Sequence, residues 1–229
     1  MNYLHGLTLC FDLDGTLVDT APDLIRVLDL VIAEEGLPKT DYKEARKAVG
    51  YGSRKLIIQA CERMQHTPSP ARLDELQQLF LKLYADNIAE LSQPYCSVFD
   101  ALTKLKKSGV KLSVCTNKPG YLARPLLKAL GMTHFFERIV GGDDIMNKKP
   151  SPEHIWASAG HNDWRRIVMI GDSYPDMRAA HNGRMKSILV TYGYTQISPL
   201  KLKADYRIHK FGSLQTALDK LGFIEPINC

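Results

Sequence analysis

Phe11-Asp12-Leu13-Asp14-Gly15-Thr16-Leu17-Val18-Asp19-Thr20 follows directly on the apolar run Leu7 to Phe11. The run is rich in strand formers and ends on two carboxylates one residue apart. Alternate side chains of an extended chain point the same way, so Asp12 and Asp14 crowd one side of a strand end. A fold accepts that repulsion only where positive charge sits between or in front of them. The candidates are a divalent metal, a lysine and a transferring phosphoryl group.

Outward from this stretch, strand-like and helix-like segments alternate, which predicts a parallel α/β sheet. The further strand candidates are Lys111–Cys115, Arg138–Val140, Ile167–Ile170, Ser187–Val190 and Tyr206–Ile208. Ser97 to Ser108 reads as a helix closed by Gly109, Tyr121 to Leu130 as one closed by Gly131, and Pro152 to Ala159 as one stopped near Gly160. The gap between the first two strands, from about Val18 to Ser97, is far longer than one crossover helix needs. It carries amphipathic stripes at Leu24, Val27, Leu28 and Val31, at Leu56, Ile57, Ala60 and Met64, and from Leu73 through Leu76, Leu79, Phe80 and Leu83 to Ile88. Those stripes read as core, and they predict a small helical bundle over the strand ends. The expected division is a core of 1–17 and 97–229 with an all-helical cap of 18–96, hinged near Thr16–Thr20 and Gln93–Ser97.

Ligands of open parallel sheets bind beyond the carboxyl ends of the strands. Polar clusters occur at three such ends: Asp12 and Asp14; Thr116-Asn117-Lys118-Pro119; and Gly171-Asp172-Ser173-Tyr174-Pro175-Asp176. A Lys148-Lys149-Pro150 turn falls between the last two. In this order, the set resembles the haloacid dehalogenase superfamily in its phosphatase branch, over nearly the whole chain. The resemblance implies a Rossmann-like sheet with the first strand central and the family's helical cap after it.

The resemblance also implies roles. Asp12 is the expected nucleophile, forming an aspartyl-phosphate, and Asp14 the general acid and base, with its backbone carbonyl on the metal. Thr116 is expected to bind a phosphoryl oxygen, with Asn117 beside it as a further donor; alternatively Asn117 caps the following helix. Lys149 is the expected catalytic lysine, and Lys148 an exposed neighbour. Asp172 is an expected metal ligand, with Asp12 and Asp14. Asp176 is a second acidic position, holding metal-bound water or Lys149, and it also reads as a capping box with Ser173. Thr20 and Asp23 read as a purely structural capping box. The hard, oxygen-rich set predicts Mg2+, and each of the seven histidines reads as structural or surface.

The turn Gly50-Tyr51-Gly52-Ser53-Arg54, the stretch Val190 to Thr195, and Ala204 to Ile208 followed by Phe211 and Leu214 are similar to phosphoglycolate phosphatases of this family. They predict 2-phosphoglycolate as substrate, with Arg54 reading its carboxylate. The alternatives are a phosphomutase of the β-phosphoglucomutase type and a catalytically silent binding protein on the same fold. The presence of Asp14 disfavours the phosphonate-cleaving and dehalogenase branches.

Composition sets the remaining limits. The chain has 229 residues, 45% of them hydrophobic, enough for a sizeable core. The net charge of +5 is spread out; the densest cluster, Lys104, Lys106 and Lys107, reads as a solvated helix face, so no nucleic-acid partner is expected. The cysteines at 10, 61, 96, 115 and 229 form no CxxC or metal-type spacing and suit a reducing cytoplasm. Met1 to Gly6 lacks a signal pattern and no apolar stretch is long enough to span a bilayer. A monomer and a homodimer both remain open.

Overall fold

The structure, a computed structural model, describes residues 6–195 and 197–223. Met1–His5, read above for a signal pattern, and Cys229 lie outside the described residues. The chain opens with β1 (Thr8–Phe11) and the two-residue β2 (Val18–Asp19). Four helices follow: α1 (Ala21–Ala33), α2 (Tyr42–Arg46), α3 (Ser53–Arg63) and α4 (Pro70–Asp86). After β3 (Gln93–Pro94) come α5 (Val98–Lys107), β4 (Lys111–Cys115), α6 (Gly120–Ala129), β5 (Arg138–Val140), α7 (Pro152–Ala159) and β6 (Ile167–Gly171). The chain continues through α8 (Tyr174–Asn182), β7 (Lys186–Val190), β8 (Tyr206–Ile208) and α9 (Leu214–Lys220).

Six strands form one parallel sheet in the order β5-β4-β1-β6-β7-β8. Every residue of β1 is buried, because helices cover both faces of the sheet. Leu9 and Phe11 point into the larger cluster with Leu102, Leu126 and Leu214, while Cys10 points the other way, among Ile155, Met169 and Ala179. This alternation fixes the direction of Asp12 at the end of the strand. Its backbone N–H still belongs to the sheet, donating to Ile170 O at 2.9 Å. The chain order reverses around β1, so the ends of β4, β1 and β6 flank a single crevice.

The helices α1 to α4 pack round a second hydrophobic cluster built from the predicted stripes, including Leu24, Val27, Leu28, Leu56, Ile57, Leu76 and Phe80. The α4 stripe differs in one respect from the sequence reading. Its most buried positions are Leu76, Phe80 and Tyr84, spaced by four, whereas Leu79 and Leu83 are half-buried. Leu122 and Tyr194 reach this cluster from the sheet side.

The two passages between sheet and insert are joined. β2 and β3 pair antiparallel, Val18 with Pro94 and Asp19 with Gln93. Asp23, fully buried on α1, accepts from Leu91 N–H, Ser92 N–H and the Ser92 hydroxyl at 2.9, 2.8 and 2.7 Å. These bonds, with burial working against them, hold the Asp23 carboxyl below its ordinary pKa. The predicted Thr20–Asp23 capping box is therefore absent. Thr20 is the N-cap residue of α1 but makes no side-chain cap. Its N–H donates to the Tyr194 hydroxyl at 2.6 Å, which leaves Asp23 available to tie down the second crossing. Among the described residues no helix is long and apolar enough to cross a membrane.

Candidate active site

The strand ends and the insert enclose a cavity of about 470 Å3, lined by Asp12, Asp14, Thr116, Lys149, Asp172 and Asp176 from the sheet side and by Tyr51, Arg54, Phe80 and Tyr84 from the insert. Gly15 makes the close packing possible. It has φ +84°, and a Cβ there would lie 2.7 Å from Asp172 Oδ2.

Asp12, Asp172 and Asp176 are all buried, and each offers a carboxylate oxygen within 4.8 Å of the others. Among the described residues, one cation answers them. The Lys149 ammonium donates to Asp12 Oδ1 at 2.9 Å, to Asp176 Oδ1 at 2.6 Å and to Cys115 O at 2.6 Å, which uses its three protons. Burial pulls the Lys149 pKa down, and Asp12 and Asp176 more than reverse it, so the amine is held charged. Three carboxylates against one ammonium leave an excess of negative charge. Burial pushes the Asp12 carboxyl up to about 6; Lys149 opposes the rise and Asp176 and Asp14 add to it. Asp172 is pushed well above the usual range by burial and by Asp12 and Asp176. Asp172 receives Tyr194 N–H at 2.7 Å but only a long Thr16 hydroxyl contact at 3.5 Å on its other oxygen. A hard divalent cation fits this donor set: buried carboxylate oxygens, no thiol or imidazole among them, and charge left uncompensated.

Asp176 serves two structures at once. Its Oδ1 takes Lys149, while Oδ2 accepts from Ser173 N–H at 3.0 Å and from the Ser173 hydroxyl at 2.5 Å. The capping box and the site contact predicted for it coexist. Thr116 is buried at the end of β4, and its hydroxyl accepts from Lys118 N–H at 3.2 Å. Asn117 does not cap the next helix, whose N-cap is Pro119. One of its amide N–H groups goes to Lys149 O at 3.0 Å, so its first task is to hold the lysine's backbone. The opposite amide orientation would set two carbonyl oxygens against each other. Arg54 lines the cavity, but its guanidinium is engaged by Asp74 at 2.5 Å and Gln77 at 3.2 Å within the insert. Lys148 is exposed at the cavity mouth, as expected.

Asp14 lies in a different setting. Lys118 Nζ contacts both its oxygens, at 3.1 and 3.3 Å, and the Thr20 hydroxyl donates to Oδ1 at 2.7 Å. Lys118 also donates to the Tyr84 hydroxyl at 2.9 Å and sits over the Tyr84 ring, 4.4 Å from its centroid. Lys118 and Tyr84 have no assigned role in the sequence reading, and Thr20 has only the capping-box role that the fold does not bear out. Lys118 lay in view inside the quoted tetrapeptide, as the charged residue at the end of β4. Tyr84 lies beside the quoted stripe and outside it, and Thr20 gave no signal beyond a helix start.

Two further residues buttress the site. His154, fully buried and read above as merely structural, accepts Lys149 N–H on Nδ1 at 3.2 Å, while Nε2 faces Val140 O at 3.2 Å. Burial and the nearby Lys149 charge lower its pKa to about 4, so it stays neutral with the proton on Nε2. Tyr194 holds Asp172 through its backbone and, through its hydroxyl, Asp19 at 2.6 Å.

Comparison with known proteins places the chain in a family. The family model for haloacid dehalogenase-like hydrolases matches residues 9–190. A phosphoglycolate phosphatase of Caulobacter vibrioides is 40% identical over 210 residues, covering 91% of this chain and 89% of that protein. One from Agrobacterium fabrum is 40% identical over 211 residues, covering 91% and 90%. A crystal structure described as a predicted phosphoglycolate phosphatase from Haemophilus somnus superposes with a TM-score of 0.85 at 28% identity, covering 93% of this chain and 98% of the other. The match spans β1 to β7 and so takes in both aspartates of the first strand, the β4 end, Lys149 and the Asp172–Asp176 turn, and by that breadth the chain belongs to the haloacid dehalogenase-like hydrolase family.

Proposed function

We propose that the protein is a Mg2+-dependent phosphomonoesterase of small phosphorylated metabolites, with 2-phosphoglycolate as substrate, working in the cytoplasm. The observation that carries this reading is the meeting of Asp12, Asp172 and Asp176 within 4.8 Å beside the fully engaged Lys149, in a cavity lined on its other side by the insert. The named relatives of Caulobacter and Agrobacterium support the substrate.

Asp12, Asp172 and Asp176, with the backbone carbonyl of Asp14, would hold the cation, which when bound offsets the carboxylates and the phosphate's charge. An ionised Asp12 attacks phosphorus in line, its Oδ–P bond forming as the bond to the glycolate oxygen breaks. Asp14 gives its proton to that oxygen. It then takes one from the water that hydrolyses the acyl phosphate, releasing phosphate and restoring Asp12. Lys149, held by His154 at its N–H and by Asn117 at its carbonyl, fixes the nucleophile's orientation and supplies positive charge at the phosphoryl site. Thr116 binds a phosphoryl oxygen. Residues 18–96 act as a cap over a core of 1–17 and 97–229, and the β2–β3 ribbon is the crossing about which it would move.

The test is release of inorganic phosphate from 2-phosphoglycolate with Mg2+ and with EDTA. Cation-dependent release is expected; absence of release from every small phosphomonoester in a panel rejects the reading. Isomerisation of a sugar phosphate without free phosphate would move the protein to the mutase alternative.

A further inference from the structure

We infer that Lys118 and Tyr84 together form the site for the substrate's second anionic group, a carboxylate, with Lys118 giving an ammonium from the sheet side and Tyr84 a phenolic O–H from the insert. This deepens the phosphoglycolate reading and rests on it. The first observation is the position of Lys118. Its side chain is 6% exposed, it lines the cavity, and it stands two residues after Thr116, on the loop proposed to take the phosphoryl group. Lys149, also buried in the cavity, divides its protons among three separate acceptors, Asp12, Asp176 and Cys115 O, whereas Lys118 spends two of its three contacts on the single carboxylate of Asp14. The second observation is the phenol. Tyr84 is 1% exposed and its oxygen accepts from Lys118, which leaves the phenolic hydrogen to give; among the described residues nothing accepts it. Burial pushes the Tyr84 pKa up to about 12, so that hydrogen is present at working pH.

An ammonium and an unspent O–H held 2.9 Å apart make a two-point donor site for one carboxylate. Its partner today is Asp14, so a substrate carboxylate would share or take over the Lys118 contact. Arg54, the residue singled out by sequence, is engaged by Asp74 and Gln77. Lys118 already meets Tyr84 across this boundary, and a substrate carboxylate bound to both would add a second link between sheet side and insert.

The experiment compares kcat/KM for 2-phosphoglycolate with that for 2-hydroxyethyl phosphate, which puts a neutral hydroxymethyl group where the carboxylate stands. Loss of a charge-assisted bond predicts that Lys118→Met lowers the ratio of the two by about 10–100-fold. Lys118→Arg should recover part of it. Tyr84→Phe, which deletes one oxygen and keeps the ring, should lower the ratio by about 3–10-fold, chiefly through KM for phosphoglycolate; it carries the test should Lys118→Met fail to fold. Arg54→Ala should shift the ratio less than either. Unchanged ratios in the Lys118 and Tyr84 variants, or a larger fall for Arg54→Ala, overturn the inference while leaving the phosphatase reading intact. A wild-type protein that hydrolyses 2-hydroxyethyl phosphate but not phosphoglycolate overturns both the inference and the substrate assignment.

Discussion

Asp12 and Asp14 stand two residues apart at one strand end, yet they belong to two unlike clusters. Around Asp12, three buried carboxylates face one ammonium. Around Asp14, one carboxylate faces one ammonium, with a threonine hydroxyl and a phenol completing the set. The first cluster is unbalanced and calls for a cation from outside; the second is balanced by the chain itself. The contrast matches the work proposed for each. A nucleophile must be ionised and can share its charge with a metal, whereas an acid–base carboxyl must exchange a proton and is better kept off the metal, even where its backbone carbonyl lies against it.

The largest expected effect tests the assignment of the nucleophile to the unbalanced side. Asp12→Asn should lower kcat for 2-phosphoglycolate by at least about 10³-fold, since the amide cannot form the acyl phosphate. A variant retaining a tenth of the activity would return the two clusters to equal footing.

Stability should then separate them by sign. In EDTA, Asp172→Asn removes one of three crowded carboxylates, already driven towards its protonated form, and its melting temperature should rise or hold. Asp14→Asn leaves Lys118 buried without its counter-charge. A broken buried pair costs about 3–5 kcal/mol, and the 18% exposure of Asp14 reduces this to about 2–3 kcal/mol, a fall of roughly 4–12 °C for a chain of this size. Thermal unfolding followed by circular dichroism reads both. Equal falls would mean that the first cluster is balanced by something other than a cation.

Linkage sharpens the same difference. The Asp12 carboxyl is raised to about 6 and that of Asp172 is also held well above its ordinary range, so these groups take up protons on folding. Their contribution to stability is greatest at low pH and is lost as pH rises through about 6. His154, lowered to about 4, acts in the opposite sense, destabilising the fold as pH drops below its unfolded value. The bare pH profile mixes the two, but the increment from added Mg2+ reports the carboxylates, because the cation must displace their protons. At ten times its Kd the increment should be about 1.4 kcal/mol at pH 7.5, or roughly 3–6 °C, and should shrink towards zero at pH 5. A pH-independent increment would place the cation away from this cluster.

The same contrast governs what could be read from the sequence. The unbalanced cluster was legible because its chemistry is carried by charged residues at the ends of recognisable strands, and the parallel order brings those ends together. Asp12, Lys149, Asp172 and Asp176 all fall where that logic puts them. The balanced cluster was largely hidden. Lys118 was visible, but its partner Tyr84 comes from the last turn of a helix whose stripe reads as core, and only the packing of the insert on the sheet joins them. Thr20 misled for a related reason. A threonine three residues before an aspartate at a helix start is a capping signal, but Tyr194, more than 170 residues later, takes its N–H and releases both side chains for other work. His154 was invisible because its role lies in a backbone N–H, and backbone hydrogen bonds leave no mark in the side-chain pattern.

The smallest effect concerns Thr20, whose hydroxyl lies 2.7 Å from Asp14 Oδ1. Thr20→Val keeps the shape and removes that donor. Since Thr20 makes no side-chain cap, the melting temperature should stay within about 2 °C. A net loss of about 1 kcal/mol at Asp14 corresponds to roughly a five-fold drop in rate. It should be felt only where the leaving oxygen needs a proton: phosphoglycolate turnover should fall about five-fold, while p-nitrophenyl phosphate, whose leaving group departs as a stable anion, should fall less than about two-fold. An equal fall for both esters would locate the effect at the attacking carboxylate rather than the acid, and would mean that the hydroxyl couples the two clusters instead of belonging to one.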